Sequence, residues 1–386
     1  MKPLICPSCG SKEVGLFYHL ENVPVHSVQI IRKVEEAKSF PVGDIDLGCC
    51  RQCGFVSNYS YDAELQDYSN EYESTQSFSG TYNQFALGLV DNLVNQFGVF
   101  QKTVLEIGCG QGELLNLIAE NGNNKCIGFD PAFANEICLH PSVRIFQDYY
   151  DEKYAGMYAD AVICKMTLEH IFPVKEFIEK IRMLFHNENQ LFFIQVPNAG
   201  KVFSDLAFWD VYYEHCSYFT KESLIDLLIR CGFEVISAEL GYDDQYLMIV
   251  ARVKQSNRIR TGLNHKAIED IRAIQFGHLI ESRLENWKEL FYKAKHREGV
   301  LWGGGSKAVA FLTTLQINSE ISCVVDVNPR KENTYLPGTG HKVVLPEYLE
   351  KLKPDFVIIM NPIYFKEIKQ YLKDLGISAE LLTVDL

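Results

Sequence analysis

The stretch Thr103-Val-Leu-Glu-Ile-Gly-Cys-Gly-Gln-Gly-Glu-Leu-Leu115 decides the fold. Its first five residues predict a buried strand, Thr103–Ile107, with Glu106 near its end. Gly108, Gly110 and Gly112 follow, and glycine suits a tight turn whose backbone must approach a ligand closely. A helix opens directly after them, so its free N–H groups and positive dipole end face whatever the turn holds. A second strand, Lys125–Phe129, ends in Asp130, about 20 residues beyond the turn, where a carboxylate can reach ribose hydroxyls.

Strands and helices alternate outward from this point. A helix is expected over 113–121 and a strand, Val143–Phe146, ends at Gln147-Asp148. A strand over 159–164 leads to Lys165 and Leu168-Glu-His170; a helix over 174–185 and a strand over 190–196 follow. A helix over 221–231 and strands running through 251 finish the series. This predicts an α/β fold with a parallel, doubly wound sheet, whose ligands bind at the carboxyl ends of the strands. Glu106 with its glycines, Asp130 with Pro131, Asp148, Lys165 and His170 all fall on that edge. A glycine turn alone is shared by dinucleotide binders, methyltransferases and ordinary loops; several polar positions on one edge are far more specific.

Upstream, Cys6-Pro-Ser-Cys9-Gly and Cys50-Arg-Gln-Cys53-Gly form two C-x2-C knuckles. Four thiolates so placed can surround a tetrahedral zinc, and a site closed by four sulfurs is structural. The forty-odd residues between the knuckles are an excursion, and Cys49 is a bystander. Next comes a Tyr- and Ser-rich stretch over 68–79 without periodicity, readable either as a solvated loop or as a lid with Tyr72 and Gln76 as cofactor contacts. Residues 84–97 have helical spacing and should pack on the sheet.

Composition sets the outer limits. The chain of 386 residues is 47% hydrophobic and 23% charged, which implies two or three soluble domains. The net charge of −13 argues against nucleic acid or an anionic membrane as partner. No run approaches the roughly 18 apolar residues of a membrane span. Twelve cysteines without an apolar leader point to a reducing, cytoplasmic setting.

Beyond the core, Phe208-Trp-Asp-Val-Tyr-Tyr-Glu-His-Cys-Ser-Tyr-Phe219 concentrates aromatics around Glu214-His215, with Asp210 nearby. Imidazole beside a carboxylate suits general-base work, although a buried structural histidine is the plainer reading of His215 taken alone. A polar linker over 254–262 and a helix over 265–295 lead to a second alternating series. There Gly303-Gly-Gly-Ser-Lys307 opens a helix, and a strand over 356–360 ends at Asn361-Pro362. Ser306 and Lys307 at that helix start suit a phosphate, or form a tight turn with a surface lysine.

The set Glu106-x-Gly-x-Gly-x-Gly, Asp130, Asp148 and Leu168-Glu-His170 resembles a class I S-adenosylmethionine-dependent methyltransferase. That resemblance implies that Asp130 holds the ribose, Asp148 the adenine amino group and the glycine turn the methionine part. With the cysteine knuckles, Tyr212-x-Glu214-His215 and the C-terminal Gly-Ser-Lys and Asn-Pro turns, nearly the whole chain resembles the three-domain nucleotide-sugar C-methyltransferases. The implied plan is a Rossmann-like methyltransferase core with an N-terminal zinc-binding domain and a C-terminal Rossmann-like domain. Its bounds are 1–80 for the zinc domain and lid, 81–253 for the core, 254–297 for the linker helix and 298–386 for the substrate or nucleotide domain. The resemblance makes His215 the base, supported by Glu214, with Tyr212, His170 and Tyr72 lining the acceptor site. Ser306, Lys307 and Asn361 would meet a nucleotide-linked sugar, with Lys307 offsetting the diphosphate; a monomer or homodimer is expected. The chain departs from those enzymes at Pro24-Val-His-Ser27, where a Pro-x-Asn type loop is expected, and in the pre-core loop Tyr72-Glu-Ser-Thr-Gln76, which resembles a different branch. The alternatives are O- or N-methylation of a sugar or other nucleotide-linked small molecule, and a non-catalytic zinc-containing binding protein.

Overall fold

The computed structural model describes residues 3–66, 68, 71–134, 138–154, 156–254 and 271–386. The linker read over 254–262, and the start of the helix read over 265–295, fall in 255–270, outside the described residues.

At the N-terminus, β1 (Val14–Pro24), β2 (Val42–Cys50) and β3 (Val56–Asn58) form an antiparallel sheet. The excursion between the cysteine knuckles is therefore a β-ribbon whose strands are joined through the short helix Val34–Lys38, and the antiparallel pairing of Val14 with Cys50 brings both knuckles to one end. The core contributes β4 (Thr103–Ile107), β5 (Lys125–Phe129), β6 (Val143–Phe146), β7 (Ala161–Lys165) and β8 (Leu191–Pro197). Then come β9 (Ser217–Tyr218), β10 (Phe233–Gly241) and β11 (Tyr246–Val253). The seven-stranded sheet has the order β10-β11-β8-β7-β4-β5-β6. β4 is central and almost wholly buried, as an apolar strand covered on both faces should be.

This sheet is not parallel throughout. β11 runs antiparallel to β8, and β10 antiparallel to β11. Only Tyr242–Gln245 separates β10 from β11, too short for a crossover, so the pair closes as a hairpin with Tyr242, Asp243 and Asp244 at positive φ. The helix read over 84–97 begins earlier, as Gly80–Asp91 capped by the Ser79 side chain, and continues as a π turn, Asn92–Gln96. β9 leaves the core and pairs with β3, which stitches the segment after Glu214-His215 into the N-terminal sheet.

The C-terminal part is a five-stranded parallel sheet of β12 (Gly299–Trp302), β13 (Cys323–Val325), β14 (Val343–Val344), β15 (Phe356–Ile359) and β16 (Glu380–Thr383). The helix Ile271–Lys293 packs between regions: adding a Cβ at Gly277 would place it 2.1 Å from the Phe17 carbonyl oxygen of β1. One hydrophobic cluster runs from Ile45 and Leu47 through Phe208 and Phe276 to Phe311 and Ile358. Burying these side chains together, at about 1.5–3 kcal/mol each, fixes the three parts around a common cleft. Among the described residues no helix is long and apolar enough to cross a membrane.

Candidate active site

The carboxyl ends of β4, β5 and β7, the 71–82 segment, the 209–215 segment and the turn after β12 line one cavity of about 620 Å³.

One half is built by the glycine turn. Gly108, Gly110 and Gly112 have φ of +73°, +55° and +91°, which disfavours any residue with a Cβ. A Cβ at Gly108 would also lie 2.1 Å from Thr167 Oγ1, and one at Gly112 2.4 Å from Ile145 Cδ1. Asp130 accepts from the Gly110 N–H at 2.7 Å and the Ala132 N–H at 2.8 Å, so the turn itself orients the carboxylate; burial nevertheless raises its pKa. Pro131 lines the same wall. Asp148 at the rim accepts from Lys153 at 2.6 Å and Tyr154 at 2.7 Å, and the lysine holds its pKa below the ordinary value. Glu106 is 1% exposed, one of its carboxylate oxygens has no partner, and burial pushes its pKa up to about 8. Lys165 lies 3.5 Å from the Tyr82 hydroxyl; burial pulls its pKa down, but Tyr82 and Glu106 outweigh that and the net shift is upward. A turn that only glycine can form, carboxylates at two strand ends and an orphaned buried carboxylate fit a ligand that brings hydroxyls and positive charge, as S-adenosylmethionine does. Gln76 accepts from the Tyr364 hydroxyl at 3.1 Å, which ties the 71–82 segment to the C-terminal part.

The other half gathers the histidines. His170 and His215 have ring centroids 4.9 Å apart, and the Tyr212 ring lies tilted against His215 at 4.2 Å. The Tyr68 hydroxyl lies 3.1 Å from His170 Nδ1, and the Tyr68 and Tyr72 rings are 5.3 Å apart. The His215 backbone N–H donates to the Tyr212 carbonyl at 3.2 Å, and its ring nitrogens make no hydrogen bond among the described residues. Burial, then His170 and Lys307, hold its pKa well below the ordinary value, so the ring is neutral. Glu169, next to His170, is 1% exposed, with neither carboxylate oxygen partnered and its pKa pushed by burial to about 8.

Two sequence expectations need correction. Glu214 does not support His215. Its carboxylate lies 3.1 Å from His26 Nδ1 and accepts from the Ser27 N–H at 3.2 Å and from the Ser27 hydroxyl. Adjacent side chains leave the backbone in different directions, and Glu214 turns towards the 24–27 loop. Nor is Lys307 free to offset a phosphate, because it is ion-paired with Asp210. Asn361 exchanges amide hydrogen bonds with Gln245 at 3.0 Å each way, joining the C-terminal part to the β10–β11 turn. Ser306 does reach the cavity, and its hydroxyl lies 2.7 Å from that of Ser27. Sequence reasoning missed His26 and Ser27 as site residues, along with Glu169. The only signal for the first two was their departure from the expected loop.

Away from the cavity, Cys6 and Cys53 have sulfurs 3.7 Å apart, and Cys9 and Cys50 3.6 Å. Thiolates on a tetrahedral zinc at about 2.3 Å stand about 3.8 Å from one another, so the cluster fits that ion. Cys49 is outside it.

Comparison with known proteins gives two domain matches. Residues 82–238 match a methyltransferase domain family and residues 261–379 a C-methyltransferase C-terminal domain family. The chain is 23% identical over 357 residues to C-methyltransferase NovU of Streptomyces niveus, covering 86% of this chain and 84% of that protein. It is 30% identical over 115 residues to a ubiquinone biosynthesis O-methyltransferase of Escherichia coli, covering 27% of this chain and 47% of that protein. Among solved structures, a 1,6-didemethyltoxoflavin-N1-methyltransferase of Burkholderia thailandensis overlaps 45% of this chain and 80% of its own, with 16% identity and a TM-score of 0.36.

Proposed function

We propose that this class I S-adenosylmethionine-dependent methyltransferase transfers its methyl group to a carbon next to a keto group on a nucleotide-linked sugar, a reading supported by its methyltransferase and C-methyltransferase C-terminal domain matches and its likeness to C-methyltransferase NovU. The observation that carries this reading is the single cavity. The glycine turn, the Tyr212–His215 segment and the turn at Ser306 open onto one space, so a donor, a reacting carbon and a distal nucleotide can be held together.

The cofactor supplies an electrophilic methyl group. Gly108 to Gly112, Asp130 with Pro131, Asp148, Glu106, Lys165 and Gln76 are the residues that would bind and orient it. His215 is neutral and buried, so its free nitrogen can take the proton from the acceptor carbon. His170 and Tyr212, within ring contact of His215, are placed to hydrogen-bond the oxygen on which the enolate charge gathers. Tyr72 closes the wall behind them. Glu214 keeps the acceptor side rigid by fixing His26 and Ser27. Ser306 would meet the nucleotide phosphates, and Asn361 holds the wall beside it, while Lys307 stays paired with Asp210. The Cys6, Cys9, Cys50 and Cys53 cluster would carry a structural zinc. The working division of the chain is at residues 80, 253 and 297.

His26, in place of the expected loop asparagine, and the divergent loop over 72–76 favour O- or N-methylation, in which His215 would deprotonate a heteroatom. Incubation with methyl-labelled cofactor and a panel of nucleotide-linked keto-sugars and hydroxy-sugars decides between them. Label on carbon is the expected result; label on oxygen or nitrogen refutes C-methylation, and no transfer to any member refutes the acceptor class.

A further inference from the structure

Glu169 has a place in the fold but no task in the chemistry above. Burying a carboxyl group without a hydrogen bond is costly, and such a group calls for an explanation. It sits on the single turn Leu168–His170 just beyond β7, and neither oxygen has a partner. One of its oxygens, a ring nitrogen of His170 and a ring nitrogen of His215 all lie within 4.8 Å of one another. Glu169 and His215 are buried and His170 is half-buried on the cavity wall.

We propose that Glu169, His170 and His215 form a binding site for one divalent transition-metal ion of the zinc or cobalt kind, and that an ion there blocks turnover by occupying the lone pair of His215. Two imidazoles and a carboxylate are a borderline donor set preferred by these ions, and three protein ligands leave a position open to the cavity. Metal–ligand distances of about 2.0–2.2 Å put neighbouring ligand atoms about 3–3.5 Å apart, so from separations within 4.8 Å the three side chains need close by less than about 2 Å. The Tyr68 hydroxyl on His170 Nδ1 is the kind of partner that steadies a ligating imidazole. The nearby positive charge of Lys307 is answered by Asp210, so the ion would not meet an uncompensated cation. The site is separate from the four-cysteine cluster and differs from it in donor chemistry.

The inhibitory half rests on His215 being the base; the binding half does not. The test is titration of the full chain, with its cysteine site already filled by zinc, with Co2+ alone. One further equivalent is expected, with visible d–d absorption and no thiolate charge-transfer band, and turnover should fall in parallel and return on mild chelation. Glu169→Gln should weaken this second binding by about 100-fold or more, with retained zinc and cofactor binding certifying the fold; His170→Ala serves as the second variant. Absence of a second equivalent, or one insensitive to both substitutions, overturns the site and leaves the base assignment standing. Binding that leaves turnover unchanged or raises it overturns the inhibition, and His215 as base with it, while the site remains.

Discussion

Glu106→Gln is the substitution that best separates what the glycine turn needs for folding from what it needs for its ligand. Glu106 lies on the central strand, fully buried, and its carboxyl is pushed by burial from 4.5 to about 8. The folded, cofactor-free protein therefore holds a proton there that the unfolded chain gives up near pH 4.5. A carboxyl raised in this way contributes stability that is whole below pH 4.5 and is lost as pH climbs to 8. At one pH unit per 1.36 kcal/mol, the ceiling is about 3 kcal/mol by pH 7 and about 4 kcal/mol by pH 8. Glutamine has nearly the same shape and no charge to give up. The variant should match the parent near pH 5 and become progressively more stable above it, by about 1.4 kcal/mol per pH unit at most. Glu169 is raised similarly but is present in both proteins, so the difference between them isolates Glu106. Thermal unfolding of both cofactor-free proteins at half-unit steps from pH 5 to pH 8 reads this directly. A difference that stays flat across that range would show Glu106 already ionised in the fold, and the burial reasoning would fail. The same variant should bind S-adenosylmethionine more weakly at pH 8, a gain in stability set against a loss in binding.

Three further outcomes follow from the geometry. His215→Asn should lower turnover by about 100-fold or more while calorimetry finds cofactor affinity unchanged; near-normal turnover removes His215 as base. Cys53→Ser should leave the protein without its equivalent of zinc by elemental analysis and lower its melting temperature, and retained metal would place the ion elsewhere. Glu214→Gln should destabilise the fold by about 2–3 kcal/mol, because a buried carboxylate that accepts from Ser27 and faces His26 is replaced by an amide with the wrong donors. An unchanged unfolding midpoint would mean that those contacts contribute nothing net.

What could be read from the sequence divides along sequence separation. The strand–turn–helix at 103–115 declares itself locally, since apolar run, glycines and helix start are neighbours. The cysteine knuckles declare themselves because each pair sits within one turn. The antiparallel edge was readable in principle from the four residues between β10 and β11, but the alternation before it set an expectation of crossovers. The partner of Glu214 was not readable at all. His26 is 188 residues away, and the adjacent histidine offered a plausible partner that backbone geometry denies it. Lys307 misled for the same reason, because Asp210 reaches it from 97 residues upstream.

The carboxylate of Glu214 is where three distant parts of the chain touch: His26 and Ser27 from the first sheet, its own segment from the core, and Ser306 through Ser27 from the last domain. An acceptor preference built on these contacts would not be the property of any one module. A chimaera that exchanges the C-terminal domain alone would separate Ser306 from the loop it was matched with, and a change of the 24–27 loop would be felt beneath His215. Lineages that change acceptor should do so through paired substitutions at residues 26–27, 212–215 and 306, inherited together across domain borders that otherwise look like convenient places to cut.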